Sequence, residues 1–127
     1  MQIPIRVDYA ARAIMDLAAH RGWVLVHTSD IAQRRLIPES FLEQVLVSLR
    51  HAGIVRSARG PSGGHELTRP PEAITLGHVV RALGEAPLSI ACMQDGHCTV
   101  FEGCVLEDVW RDLTASCERV LDAVYIQ

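Results

Sequence analysis

The chain contains no lysine; all twelve of its basic residues are arginine. The glycines at 60–64 therefore cannot open a phosphate-binding loop, because no Gly-Lys-Ser/Thr follows them. No stretch of about 18 apolar residues exists, so no membrane span is expected. The opening M-Q-I-P-I-R-V-D-Y-A carries acid and lacks an apolar core run, unlike a signal peptide, and a cytoplasmic location is the expectation. There is no internal repeat and no low-complexity segment. No nucleophile–base set is visible either, which argues against an enzyme.

What remains is a globular composition, with 49% hydrophobic and 21% charged residues in 127, enough for one domain with its own core. The net charge of −3 hides an asymmetry. Residues 1–70 hold nine Arg against six acids, and residues 71–127 hold three Arg against nine. A positive front suits contact with phosphates; an acidic back should face away from them.

Helical spacing runs through residues 5–20, with Ile5, Tyr9, Ala13 and Leu17 on a stripe widened by Ala10, Ile14 and Ala18, and Gly22 as a stop. Thr28 or Ser29 can cap a short helix, S-D-I-A-Q-R-R-L, with Asp30 near its positive end. Leu36 and Ile37 make a turn, and Pro38 fits the first position of the next helix. That helix, E-S-F-L-E-Q-V-L-V-S-L-R-H-A, turns Phe41, Leu42, Val45, Leu46 and Leu49 inward and ends at Gly53. Two helices joined by a tight turn are a helix-turn-helix pattern. Ile54 and Val55 then open a strand and His65–Leu67 can form a second, with Gly60, Pro61, Gly63 and Gly64 at the tip between them. A hairpin in that position is a wing. Thr75 caps another short helix, L-G-H-V-V-R-A-L-G. Residues 84–104 read as irregular. From Cys104 onward Val105, Leu106, Val109, Trp110, Leu113, Cys117, Val120, Leu121 and Val124 share one face of a long helix. A stripe that long exceeds what a small wing domain needs covered, so it predicts a helix that packs on a partner chain.

The expected architecture is mainly α with a small β-hairpin wing. A winged helix-turn-helix DNA-binding unit spans 1–83, a cysteine-bearing loop 84–104 and a dimerisation helix 105–127, all within one compact body.

Cys92, Cys98 and Cys104 stand at even spacing, five residues between neighbours. Three thiols within about a dozen residues can hold a soft metal centre; thiolates suit iron–sulfur clusters and zinc. The spacing is not the paired C-x-x-C of zinc ribbons, and in a reducing compartment a disulfide is not the expected use. Without a metal the same thiols could serve as redox switches. Cys117, on the apolar face of the last helix, reads as a small hydrophobe. His20, His27, His51 and His78 lack paired spacing and read as structural or surface residues.

At the start of the second helix Ser40, Glu43 and Gln44 occupy the end that touches base edges in such modules. Gln can pair with adenine, and Glu can accept from cytosine. Arg59, beside Gly60 at the wing tip, suits insertion into a narrow minor groove. Arg34, Arg35, Arg50 and Arg56 are candidates for phosphate contacts.

Several segments together resemble one family. They are V-D-Y-A-A-R-A-I, I-P-E-S-F-L-E-Q-V-L-V-S-L-R-H-A-G-I-V, the wing R-G-P-S-G-G, I-T-L-G-H-V-V-R-A-L-G and the three cysteines before V-W-R-D-L. The chain is similar over essentially its whole length to the winged-helix regulators of the IscR, NsrR and CymR type, and the cysteine trio resembles the metal-cluster branch. The resemblance implies a homodimer on a partly palindromic operator of double-stranded DNA, with the second helix in the major groove and the wing in the minor groove. It implies a transcription regulator, a repressor, controlled by an iron–sulfur cluster that senses redox state, nitric oxide or iron supply. Members with a 2Fe–2S cluster have a His three residues after the third cysteine, where this chain has Glu107. Others complete a 4Fe–4S cluster with an Asp in the first helix of the partner, and Asp8 stands at that place. Asp8 therefore leads as fourth ligand and 4Fe–4S is favoured, with Glu107 and then His97 behind it. His65 stands where many members carry an aromatic residue. The alternatives are a regulator of the same family working by thiols or a small molecule and, more remotely, an iron–sulfur carrier or electron-transfer protein.

Overall fold

A computed structural model describes residues 2–22, 25–86, 90, 92–94, 97–98 and 102–126, with the side chains of Gln94, His97 and Cys98 outside the description. Helix α1 (Ile5–Ala19) leads into α2 (Thr28–Arg35) and α3 (Glu39–His51); strands β1 (Val55–Ala58) and β2 (Gly64–Leu67) follow. A single 3-10 turn (Pro71–Ala73) precedes α4 (Leu76–Ala82). A minimal hairpin, β3 (Met93–Gln94) and β4 (His97–Cys98), comes before the long α5 (Val105–Ala123). This is a winged helix-turn-helix, mostly helical, with one antiparallel hairpin as its wing.

The core lies where α1, α3 and α4 meet the base of the wing. Val7, Ala10, Ala13, Ile14 and Leu17 of α1 are buried against Leu42, Val45, Leu46 and Leu49 of α3, with Ile54, Val55, Leu67, Ile74 and Val79 closing the cluster. The expected α1 stripe is rotated at its start: Val7 is inside, while Ile5 is 57% exposed. Pro4 explains the offset, since the helix begins at its carbonyl, which accepts from Val7 N at 2.9 Å. Phe41 is only half-buried and meets Tyr9 edge-on, with ring centroids 5.3 Å apart.

Three local expectations shift by a residue. His27, not Thr28 or Ser29, is the N-cap of α2, so Thr28 already lies inside the helix and its hydroxyl is available elsewhere. Pro38 is the N-cap of α3 rather than its first residue, and its carbonyl accepts from Leu42 N. Strand β1 begins at Val55, with Ile54 buried just before it. The turn between α2 and α3 passes through Leu36 in the left-handed region (φ 54°, ψ 51°), a conformation that costs a side-chain-bearing residue about 1 kcal/mol or more.

The wing is anchored by a third extended segment. Val26 pairs with His65 through two backbone hydrogen bonds, 2.8 and 3.0 Å. Gly64 permits this approach: its φ is +143°, and a Cβ there would sit 2.6 Å from the Val26 carbonyl oxygen.

Helix α5 ends at Ala123, short of the expected 127. The chain then extends so that Leu76 N donates to the Val124 carbonyl and Ile126 N to that of Ile74, burying Ile126. Arg81 and Asp122 pair at 2.7 Å beside Gly77, whose missing side chain leaves room for the Asp122 carboxylate. Thr75 and His78 form a reciprocal cap at the start of α4.

Asp16 is 1% exposed. Arg34 grips both of its oxygens (3.1 and 2.8 Å), Arg35 donates to one at 3.1 Å, and His20 lies 3.6 Å away. Burial pushes the carboxyl up, but the hydrogen bonds from Arg34 and Arg35 and the nearby positive charges prevail and hold it below its ordinary value. A depressed carboxylate stabilises the fold above the unfolded pKa, about 3.9, and loses that contribution as pH falls through the lower folded value. Asp16→Ala is expected to cost about 2–3 kcal/mol, because the arginines are partly exposed and can rehydrate. Chemical denaturation at pH 7 measures this, and the variant should lose the wild-type stability gradient below about pH 4. Gly64→Ala should cost more than about 1 kcal/mol by forcing strand β2 off Val26, measured the same way.

Candidate nucleic-acid interface and cysteine loop

Burial of Leu42, Val45, Leu46 and Leu49 fixes which side of α3 faces out. Ser40, Glu43 and Gln44 all lie on that exposed side, at its N-terminal end. Val47 extends the same face at 37% exposure; residue-type reasoning passes over it because an apolar residue in a helix reads as core. The i, i+4, i+7 spacing of Ser40, Gln44 and Val47 is the signal that finds it.

The candidate arginines separate into two groups. Arg34 and Arg35 turn their guanidinium groups toward Asp16 and thereby lock α2 to α1. Arg56 pairs with Glu66 across the wing strands at 2.7 Å, on an exposed face. Arg50 near the end of α3 and Arg59 at the wing tip are exposed, and neither makes a hydrogen bond or ion pair with a described residue. Gly60, with φ +102°, turns the chain directly after Arg59.

His65 joins the wing to the helices. Its Nε2 lies 2.7 Å from Thr28 Oγ1 and its Nδ1 2.5 Å from Ser57 Oγ. Burial, then the charges of Arg50 and His27, pull its pKa below the ordinary histidine value, with Glu43 opposing. The imidazole is therefore neutral at pH 7, one nitrogen donating and the other accepting.

In the cysteine loop the β3–β4 register sets Met93 opposite Cys98, so the backbone at Cys92, adjacent to Met93, runs beside that of Cys98. Cys104 is the N-cap of α5, reached through Gly103 at φ +78°. Cys92 and Cys104 are half-buried, as is Cys117 on α5, and none of the three is in a disulfide. The described side chains contain no group of three metal-ligating residues; those of Cys98 and His97 lie outside the description. Cys92 just before the hairpin and Cys104 at the helix cap, both free and half-buried, are donors of the kind that a thiolate-held cluster uses. Asp8 is half-exposed on α1 and pairs with Arg12 at 2.6 Å. Arg12 also donates to the Arg35 carbonyl at 3.3 Å and lies over the Tyr9 ring. Glu107 pairs with Arg111, one turn further along α5.

No described residue of α5 is fully buried, and Val105, Leu106, Val109 and Val120 are about half to three-quarters exposed. No described helix is long and apolar enough to cross a membrane.

Comparison with known proteins agrees with this geometry. The chain is 35% identical over 124 residues to the HTH-type transcriptional regulator IscR of Aliivibrio salmonicida, an alignment covering 98% of this chain and 74% of that one. It superposes on T. potens IscR with a TM-score of 0.81 at 34% identity, covering 99% of this chain and 83% of that one. On CymR, the global cysteine regulator of B. subtilis, the TM-score is 0.82 at 28% identity, covering 99% and 93%. These relatives are regulators rather than enzymes. Residues 3–127 match the Rrf2 family model, described as an iron-dependent transcriptional regulator, and the chain belongs to the Rrf2 family of DNA-binding transcription regulators.

Proposed function

We propose that this regulator is a homodimeric repressor whose hold on its operator is set by an iron–sulfur cluster on Cys92, Cys98 and Cys104. The observation that carries the reading is the cysteine loop itself. A hairpin with two-residue strands pairs Met93, the neighbour of Cys92, with Cys98, and Cys104 is the N-cap of α5, whose apolar face is uncovered. Asp8 of the partner subunit supplies the fourth ligand of a 4Fe–4S centre; Glu107 or His97 would serve a 2Fe–2S centre instead. A carboxylate is a more exchangeable ligand for iron than thiolate, which suits a site meant to respond to redox state, nitric oxide or iron supply. When bound, the cluster supplies iron able to exchange ligands and electrons.

The exposed side of α5 pairs with its copy in the second subunit. Over 19 residues this helix is about 28 Å long, long enough to set the separation of two reading heads. Half-sites one helical turn apart, about 34 Å, tolerate little change in that separation. Ser40, Glu43 and Gln44 read base edges in the major groove, and Arg59 enters the minor groove. Arg50 and Arg56 contact phosphates; Arg34 and Arg35 contribute there with whatever donors Asp16 leaves.

A second reading draws support from the likeness to CymR and from the position of Cys104 at a helix N-terminus. In it the same loop works as a thiol switch without metal. Purification without oxygen, followed by visible absorption, iron and acid-labile sulfide analysis, separates the two. A coloured protein with about four iron per subunit is expected, or about two for a 2Fe–2S centre, with colour lost in Cys98→Ser. A colourless protein that still selects one operator would leave only the thiol switch. Arg59→Ala should weaken binding to an operator with a narrow minor groove and lower the salt slope by about one, read from Kd at several salt concentrations.

A further inference from the structure

We infer that His65 is a positioning residue for DNA reading: as a neutral imidazole it fixes the wing against the first helix of the helix-turn-helix, and taking up a proton loosens operator binding. The inference rests on this chain's being a DNA-reading regulator and goes beyond the base, phosphate and cluster assignments.

Three segments converge on this residue. Its backbone pairs with Val26 on one side, and in register with Ser57 of β1 on the other. Its side chain lies on the core-facing side of the hairpin, because Val55 and Leu67, the next pair on that face, are both buried. From there Nδ1 meets the Ser57 hydroxyl within the wing and Nε2 meets the Thr28 hydroxyl at the start of α2. Thr28 is available because His27 takes the cap position. To the backbone pairing with Val26 the ring thus adds a side-chain tie between the wing and the helix-turn-helix, bridging two hydroxyls.

Operator binding makes that orientation matter. The outer face of α3 and Arg59 at the wing tip must reach the same duplex at once. Strand β2 leads directly from the tip to the bridge.

Both hydroxyls can accept as well as donate, so hydrogen bonding alone does not forbid an imidazolium. The opposition is burial and charge. Arg50 of α3 and His27 before α2 face the ring and repel a proton, while Glu43 of α3 attracts one. On the outer side of the strands Arg56 and Glu66 neutralise each other. A protonated His65 would push on Arg50 and draw on Glu43, disturbing the helix that carries the base-facing residues. With the folded pKa depressed, the neutral bridge is intact at pH 7. Its stabilising effect declines as pH drops below the unfolded value of about 6.5 toward the folded one.

The test uses the full chain, wild type and His65→Gln, and a duplex selected by the wild type from random sequences at pH 7.5. Gln offers one donor and one acceptor but does not titrate. Kd is measured at pH 7.5 and 5.5 at constant ionic strength. Every other residue is the same in both proteins, so the comparison isolates the ring and the groups it touches. The wild type should weaken more than His65→Gln across this range, by severalfold and by less than the roughly tenfold that an unshifted histidine would give. Ser57→Ala keeps the imidazole but removes one partner, and should shift the pH at which affinity falls; it serves if His65→Gln does not fold. Equal pH ratios in wild type and variants overturn the inference while leaving the DNA reading intact. A wild type that selects no duplex overturns both.

Discussion

Asp16 is a carboxylate that the fold has taken out of water and surrounded with two arginines from the next helix. Such a charge is tolerable only if its partners stay in place, so it fixes the angle between α1 and α2 with little latitude. The consequences spread outward. Helix α2 ends where Arg34 and Arg35 must turn inward, and the following residue, Leu36, takes a left-handed backbone to start α3 in the right direction. Arg12 caps the same corner by donating to the Arg35 carbonyl, and Tyr9 one turn earlier meets Phe41 of α3. The reading face of α3 is thereby aimed by contacts that lie behind it.

This arrangement explains why arginine cannot be sorted by sequence alone. Arg34 and Arg35 sit in a basic front half beside a helix-turn-helix, where a phosphate contact is the natural reading. A buried acid eighteen residues earlier recruits them, and nothing in local spacing announces the pairing. Arg59 is different, since a tip glycine and a short hairpin leave its side chain little to pair with. The helices themselves were legible because their apolar residues recur at helical spacing, and the wing because glycine and proline cluster between two apolar pairs. What spacing missed were features made by tertiary contact. Val26 joins the wing, Val7 replaces Ile5 in the core, and the chain after Ala123 folds back on Thr75. The cysteine trio was visible as a pattern, but the hairpin that sets Cys98 opposite Met93 has strands of two residues, below what periodicity can detect.

The two ends of the molecule place opposite demands on burial. Where α1 and α3 face each other the large apolar residues are covered, and among the described residues the buried polar side chains are hydrogen-bonded. Along α5 the balance reverses: apolar side chains lie open over several turns, and the helix is held to the body chiefly by α4, through Arg81–Asp122, Gly77 and the strand-like return at Val124–Ile126. A patch of that kind is costly to leave in water. A second copy of the same helix can cover it, and the acidic charge of residues 71–127 keeps this end off a polyanion while the basic front approaches one.

Control of such a dimer depends on where the structure can give. The Asp16 clamp and the α1–α3 core resist deformation, because moving either exposes a charge or opens a cavity. The α4–α5 contact is smaller, and its ion pair is half-exposed, so shifting it is less costly. In sequence the cysteines lie between the end of α4 and the start of α5. On the proposed reading, a change of ligation or oxidation there would act on the helix that spaces the reading heads and leave each head's own core intact. The difference in stiffness between the two halves is what would couple sensing to binding.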